Sequence, residues 1–205
     1  MPGKHPDKET QEGFIRNIYR FINRAQNSDD IVVFLDPTHQ LYNVVNGYCW
    51  QEKGKSNTKV FESNSGRKRV TIMGALNPLE LKPTAVVTED NCDKETMCRF
   101  LEELRNAYQS ADTIYALLDN ARYNHAKLVK RKAEDLGIEL IYLPAYSPNL
   151  NLIERLWKFL KKKLKKNVYY NTFKKFLNAI YDFFKSIDDY REELEKLLTL
   201  NFEII

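Results

Sequence analysis

The sequence predicts an α/β domain: a mixed sheet flanked by helices, with a helical extension at the C-terminal end. Three observations predict it. Apolar runs at 31–36, 114–118 and 138–143 are too short for helices and read as buried strands. Amphipathic helical patterns alternate with the later runs. Adjacent strand-like segments come before that alternation, which gives a sheet of mixed rather than purely parallel character.

Each element follows from its own pattern. Residues 9–27 place Phe14, Ile15, Ile18, Tyr19, Phe21 and Ile22 at helical spacing before the turn Asn27-Ser28-Asp29-Asp30. The run 31–36 is the first strand. Segments 41–50 and 69–76 are strand-like, and the polar loop between them carries Lys53, Lys55, Lys59, Arg67 and Lys68. A further strand is expected at 84–88. Met97, Phe100, Leu101 and Leu104 mark a helix over 93–108. The strand 114–118 delivers Asp119, and a helix over 124–136 stops at Gly137. The strand 138–143 is closed by Pro144. Residues 145–150 form a turn, 151–166 a basic helix, and 171–200 a helical region broken near 186–189.

A chain of 205 residues with 43% hydrophobic and 29% charged residues is long enough for one well-cored domain. One domain over 1–205 is expected, its core at about 30–167 and its helical extension at 168–205. No repeat or low-complexity tract divides it. Three cysteines, Cys49, Cys92 and Cys98, have neither the number nor the spacing of a disulfide framework and read as free thiols. His5, His39 and His125 fit no zinc spacing. No apolar run approaches a membrane span and the N-terminus lacks a signal-peptide core, so a soluble, cytoplasmic protein with no membrane partner is expected.

The net charge of +4 is unevenly spread. Residues 155–175 hold nine basic side chains and no acidic one, which leaves the remainder net acidic. Such a concentrated basic patch suggests a polyanionic partner, although a solvated lysine-rich helix would look the same.

Three acids are placed for chemistry: Asp36 and Asp119 at the ends of strand-like runs, and Glu154 at the start of the basic helix. Strand ends fix a carboxylate beside a crevice, and hard divalent cations prefer carboxylate oxygen. Two such ions about 4 Å apart serve phosphodiester chemistry. Each acid has a plainer reading. Asp36 before Pro37 is a turn acid. Asp119 before Asn120 makes an Asx-turn. Asn151 with Glu154 three residues on resembles a capping box. The lysine face shifts the balance, because Glu154, Lys158, Lys161, Lys162 and Lys165 share one helical face while Ile153, Leu156, Trp157, Leu160 and Leu164 share the buried one. An acid at the head of a lysine stripe suits a metal held where lysines take phosphates.

These words are also recognisable. Leu117-Leu118-Asp119-Asn120-Ala121-Arg122 and the stretch 143–157 with Ser147-Pro148-Asn149-Leu150-Asn151-Leu152-Ile153-Glu154, which leaves 34 residues between Asp119 and Glu154, resemble the second and third catalytic motifs of DDE transposases. The words look like those of the bacterial insertion-sequence relatives of the mariner superfamily. Phe34-Leu35-Asp36 followed by His39 is similar to their first motif, and 69–76 to a later strand. The likeness covers roughly 30–200.

The resemblance implies a ribonuclease H-like fold with Asp36 on the first strand, Asp119 at the end of the fourth and Glu154 on the helix after the fifth. Together the three would be catalytic and would bind two Mg²⁺ or Mn²⁺ ions, while Arg155, Lys158, Lys161, Lys162 and Lys165 would contact DNA. The expected reaction is endonucleolytic cutting at transposon ends and strand transfer of the freed 3′-hydroxyl into target DNA, typically at TA. A homodimer is expected by analogy. Two departures stand out: relatives carry Asp where this chain has Asn149, and Pro where it has Leu152. The N-terminal helix-turn-helix that reads terminal repeats is expected to be absent, so an upstream reading frame could supply a DNA-binding partner. The alternative is a catalytically silent or repurposed transposase fragment that acts as a DNA-binding module. A nuclease acting on RNA–DNA hybrids fits the Glu154 motif less well.

Overall fold

The computed structural model describes residues 7–45, 50, 52–54, 62–64 and 66–204. Its helices are α1 (Lys8–Gln26), α2 (Lys94–Ala107), α3 (Lys127–Asp135), α4 (Ile153–Lys165), α5 (Phe173–Lys185) and α6 (Arg191–Leu197). Its strands are β1 (Ile31–Leu41), β2 (Arg69–Asn77), β3 (Lys82–Thr88), β4 (Ile114–Leu118) and β5 (Ile138–Tyr142). The five strands form one sheet in the order β3-β2-β1-β4-β5. β1, β2 and β3 pair antiparallel, while β4 and β5 extend the sheet parallel to β1.

Side chains alternate across this sheet and so sort into two cores. Val32, Phe34, Val70, Ile72, Leu76, Tyr115 and Leu117 face α1, α4, α5 and α6. Val33, Leu35, Met73, Ala75, Ile114, Ala116 and Leu118 face α2 and α3. β4 is buried along its whole length, as a central strand covered on both faces must be. Each large side chain buried in this way contributes about 1.5–3 kcal/mol of transfer free energy.

Helix ends are set by local chemistry. Asp7 and Asp93 cap α1 and α2 by accepting from the backbone N–H groups of Thr10 (2.9 Å) and Thr96 (2.8 Å). Thr172 caps α5 through Lys175 N at 3.2 Å. Gly137, at φ +64°, takes the left-handed conformation that ends the α3 turn, and its N–H reaches Glu134 O at 3.0 Å.

The elements depart from the sequence expectation in three places. β1 does not stop at Asp36 but runs on to Leu41, paired with β2, and Pro37 stands opposite Met73. Beyond Phe34 the strand has a partner on one side only, which is where a sheet tolerates proline. The expected strand 41–50 lies partly outside the described residues; within them, Leu41 ends β1 and Val45 makes an isolated bridge with Lys166. Lys55 and Lys59 of the expected basic loop also lie outside them. The expected helix 124–136 is a 3-10 turn, Arg122–His125, followed by α3. The C-terminal helices share the α4 core through Phe176, Ile180, Phe183, Ile187, Leu194 and Leu198. Among the described residues, no helix is long and apolar enough to cross a membrane.

Candidate active site

Strand parity brings the first two acids to one side. Asp36 follows Val32 and Phe34 at two-residue steps, and Asp119 follows Tyr115 and Leu117 in the same way, so both belong to the face that α4 covers. β1 pairs with β4 up to Phe34 and Leu117, so the two aspartates sit side by side just past the parallel ladder. α4, which follows β5, brings Glu154 in its first turn.

Asp36 is half-buried, and its Oδ2 accepts the indole N–H of Trp157 at 3.1 Å. Burial, together with the charges of Glu154 and Asp119, pushes its carboxyl up to about 8, while the Trp157 hydrogen bond opposes that rise. Repulsion from both partners shows that the three acids share one electrostatic environment. Among the described residues, none of the three forms an ion pair with Lys or Arg.

Asp119 is exposed. Its Oδ1 accepts from Ala121 N at 3.1 Å, which closes the Asx-turn suggested by the sequence, and from Asn124 Nδ2 at 2.9 Å. The Asx-turn and a chemical role are therefore compatible: one oxygen fixes the carboxylate, and among the described residues no protein donor engages the other. Glu154 is half-buried, and the capping-box alternative is not what forms. The N-cap is Leu152, with no side-chain cap, and Asn151 instead donates its amide to Leu35 O at 3.2 Å. That hydrogen bond ties the start of α4 to β1 one residue before Asp36.

The three carboxylates line one cavity of roughly 490 Å³, whose other walls include Asn120, Ala121, Pro144, Tyr146 and Ser147. Such a donor set, all carboxylate oxygen without a neutralising cation, fits a hard divalent metal. Even so, among the described residues no group of three or more His, Cys, Asp or Glu stands close enough to form a ready-made metal cluster. The side chains share a cavity without converging on one point.

The lysine stripe is only partly as expected. Lys158, Lys161 and Lys162 are exposed on α4 beyond Glu154. Lys165 is buried, at 4% exposure, and its ammonium is pulled down to about 8 by burial and by Lys161. A tertiary contact lies at this end of the helix: Val45 N donates to Lys165 O at 3.0 Å and Val45 bridges Lys166. Arg155 is not turned to solvent either. Its guanidinium donates to the carbonyls of Thr199 (2.7 Å) and Asn201 (2.6 Å) and stands 6.0 Å from the Phe202 ring. It fastens the C-terminal tail to α4.

Several supporting residues were not singled out from the sequence. Trp157 had been read as a core residue, and it is buried, but its N–H also holds Asp36. Gly74 lies opposite Asp36, and a Cβ there would stand 2.4–2.6 Å from the Trp157 ring, so the indole reaches Asp36 only over a glycine. Asn124 holds Asp119. Asn149 donates to both Gln11 Oε1 (2.9 Å) and Glu203 O (2.7 Å), which a carboxylate could not do. Leu152 is fully buried.

Comparison with known proteins bears on the family and the fold. The family described as DDE superfamily endonuclease matches residues 31–177, which include all three acids. A protein of Sinorhizobium fredii described as uncharacterized protein y4pE/y4sA is 32% identical over 90 residues, 44% of this chain and 64% of the relative. The Mos1 mariner paired-end complex with Mn superposes with a TM-score of 0.67 at 15% identity, covering 97% of this chain and 62% of the Mos1 chain. The catalytic domain of Mos1 mariner transposase superposes with a TM-score of 0.60 at 17% identity, covering 97% of this chain and 92% of that domain. The chain thus spans less than two thirds of the length of the Sinorhizobium relative and of the Mos1 chain in its complex. Its mixed sheet and flanking helices are the ribonuclease H-like fold of the Mos1 catalytic domain. With that fold, and with the family match over most of its length, the chain belongs to the DDE superfamily of endonucleases.

Proposed function

We propose that this chain is the catalytic domain of a DDE transposase, cutting DNA at transposon ends and transferring the freed 3′-hydroxyl to target DNA. The observation that carries the reading is the meeting of Asp36, Asp119 and Glu154 in one cavity, with the exposed Lys158, Lys161 and Lys162 on the helix that brings Glu154. The relatives support it: Mos1 is known in paired-end complexes with Mn and with Mg, and in a strand transfer complex.

Asp36, Asp119 and Glu154 would hold two Mg²⁺ or Mn²⁺ ions. Bound there, such ions supply Lewis acidity toward the scissile phosphate and a nucleophile at neutral pH. The protein supplies the rest. Trp157 orients Asp36, Asn124 and Ala121 orient Asp119, and Asn151 fixes the start of α4 against β1. Lys158, Lys161 and Lys162 draw the DNA backbone toward the cavity. Paired copies of the chain on paired ends, and a DNA-recognising partner that selects those ends, belong to the same proposal.

A second reading, a fragment that binds DNA without cutting it, is favoured by one observation: the acids do not form a ready-made metal cluster. A nicking assay on supercoiled DNA with Mg²⁺ separates the two. The catalytic reading expects nicking by the wild-type chain and a loss of at least about 100-fold in Asp119→Asn, with DNA affinity equal or higher because a repelling charge is gone. Equal nicking by both proteins would remove Asp119 from the chemistry. Binding without nicking by the wild type would establish the second reading.

A further inference from the structure

We propose that a second phosphate-binding surface, formed by the turn Arg122–His125 and the outer face of α3, continues the DNA path beyond the cavity on the opposite side from α4. The inference rests on the functional reading above and extends it to residues that no motif covers. From Asn120 to Ala133 the chain carries Arg122, His125, Lys127, Lys130, Arg131 and Lys132 and no acidic residue. Arg122, His125, Lys127, Lys130 and Arg131 are exposed, whereas Lys132 is occupied by Glu102 at 2.6 Å. Val129 and Ala133 form the buried side of α3, so Lys127, Lys130 and Arg131, at spacings of three and four, share the outer side.

This surface is physically joined to the catalytic cavity. Asn120 lines the cavity, and its Oδ1 lies 3.3 Å from His125 Nε2. The His125 ring stacks on Tyr142, with centroids 4.2 Å apart and planes at 17°, and the Lys130 ammonium lies 5.9 Å from that same ring. The Tyr142 hydroxyl donates to Asn124 O at 2.8 Å, and Asn124 is the residue that holds Asp119. The imidazole and the ammonium are thus gathered around one ring and fixed to the loop that positions a catalytic carboxylate. Groups ordered in advance lose less entropy when they meet a ligand.

The topology favours a long polyanion over a small one. α4 covers one face of the sheet and α3 the other; Glu154 of α4 lines the cavity, as do Asn120 and Ala121, which lead into the turn before α3. A DNA backbone crossing this edge of the sheet would meet Lys158, Lys161 and Lys162 on one side and the α3 surface on the other. The surface has a limit, because Glu134 and Glu139 line the groove along β5 beyond Lys130 and turn it acidic.

The test is the salt dependence of affinity for a fluorescein-labelled DNA duplex in EDTA, where no cleavage occurs. In the variant Lys127→Gln/Lys130→Gln/Arg131→Gln the slope of log K against log salt should fall by about two to three, and affinity near 100 mM salt by about tenfold or more. The conservative variant Lys127→Arg/Lys130→Arg/Arg131→Lys should keep the wild-type slope, and a thermal melt confirms folding of each. Lys174→Gln/Lys175→Gln/Lys185→Gln on α5 removes the same charge away from the cavity and should change the slope less. An unaltered slope in the α3 variant, or an equal fall in the α5 control, overturns the second surface. If Lys158→Gln/Lys161→Gln/Lys162→Gln lowers the slope and the α3 variant does not, only this inference fails. A wild-type chain with no DNA affinity overturns the functional reading itself.

Discussion

Trp157 donates its indole N–H to Asp36 Oδ2 at 3.1 Å, joining α4 to β1 across 121 positions of sequence. The contact sets the orientation of the half-buried Asp36 carboxylate and is possible only because Gly74 leaves room for the ring. Replacing Trp157 by Phe removes the donor and leaves a smaller aromatic ring. The lost hydrogen bond should cost about 1 kcal/mol in stability and the lost volume adds to it, measured by urea unfolding. The larger effect should be on the pH–rate profile of nicking. Losing a hydrogen bond that favours the charged carboxylate moves the acidic limb to higher pH, and an unshifted limb would show that the bond does not act on Asp36.

Gly74→Ala tests the same contact from the other side. The added methyl would overlap the Trp157 ring, and the ring or β2 must shift. Overpacking of this kind costs about 1–3 kcal/mol. Nicking should fall together with stability. A variant as stable and as active as the wild type would show that the indole has another way to sit.

The raised carboxyl of Asp36 makes the metal-free protein less stable as pH rises. Its folded value is about 8 and its ordinary value 3.8, so between these the folded chain keeps a proton that the unfolded chain has released. With more protons on the folded state, stability falls with increasing pH across that window. Asp36→Asn removes the effect, and at pH 8 the metal-free variant should be more stable than the wild type by at least about 1 kcal/mol. Metal affinity runs the opposite way. Binding must displace the proton, so affinity for Mg²⁺ should climb by up to about tenfold per pH unit and level off near pH 8. Calorimetric titration in buffers of different ionisation enthalpy measures the proton released; no release would contradict a protonated Asp36.

Arg155 separates two roles that the sequence left together. Its guanidinium is engaged by the tail carbonyls of Thr199 and Asn201. Arg155→Ala should therefore destabilise the chain by about 1.5–3 kcal/mol while leaving the salt slope of DNA binding unchanged. A slope lowered by about one without loss of stability would instead return Arg155 to the DNA surface.

What the sequence revealed, and what it did not, follows the range of the forces involved. The run 114–118 matches β4 residue for residue, because a fully buried strand is apolar at every position. Gly137 marked the end of α3 because left-handed backbone favours glycine at a helix end. The three acids were legible from their flanking words. Lys165 was misleading because helical periodicity knows only angles about its own axis, and the tertiary contact at this end of the helix comes from Val45. The Asn151 capping box does not form for a similar reason: Asn151 Nδ2 donates to Leu35 O of β1, which holds the side chain against the sheet, and its Oδ1 caps no N–H of α4. Gly74 and Asn124 carried no signal, because their function lies in one contact each with a partner distant in the chain or across a turn.

The central claim is that Asp36, Asp119 and Glu154 draw together around divalent metal. Anomalous diffraction from crystals soaked in Mn²⁺ tests it most directly. The account predicts manganese peaks in the cavity, with all three carboxylates rotated inward as ligands. A cavity without manganese at saturating concentration, or manganese bound with one of the three acids turned away, would contradict it.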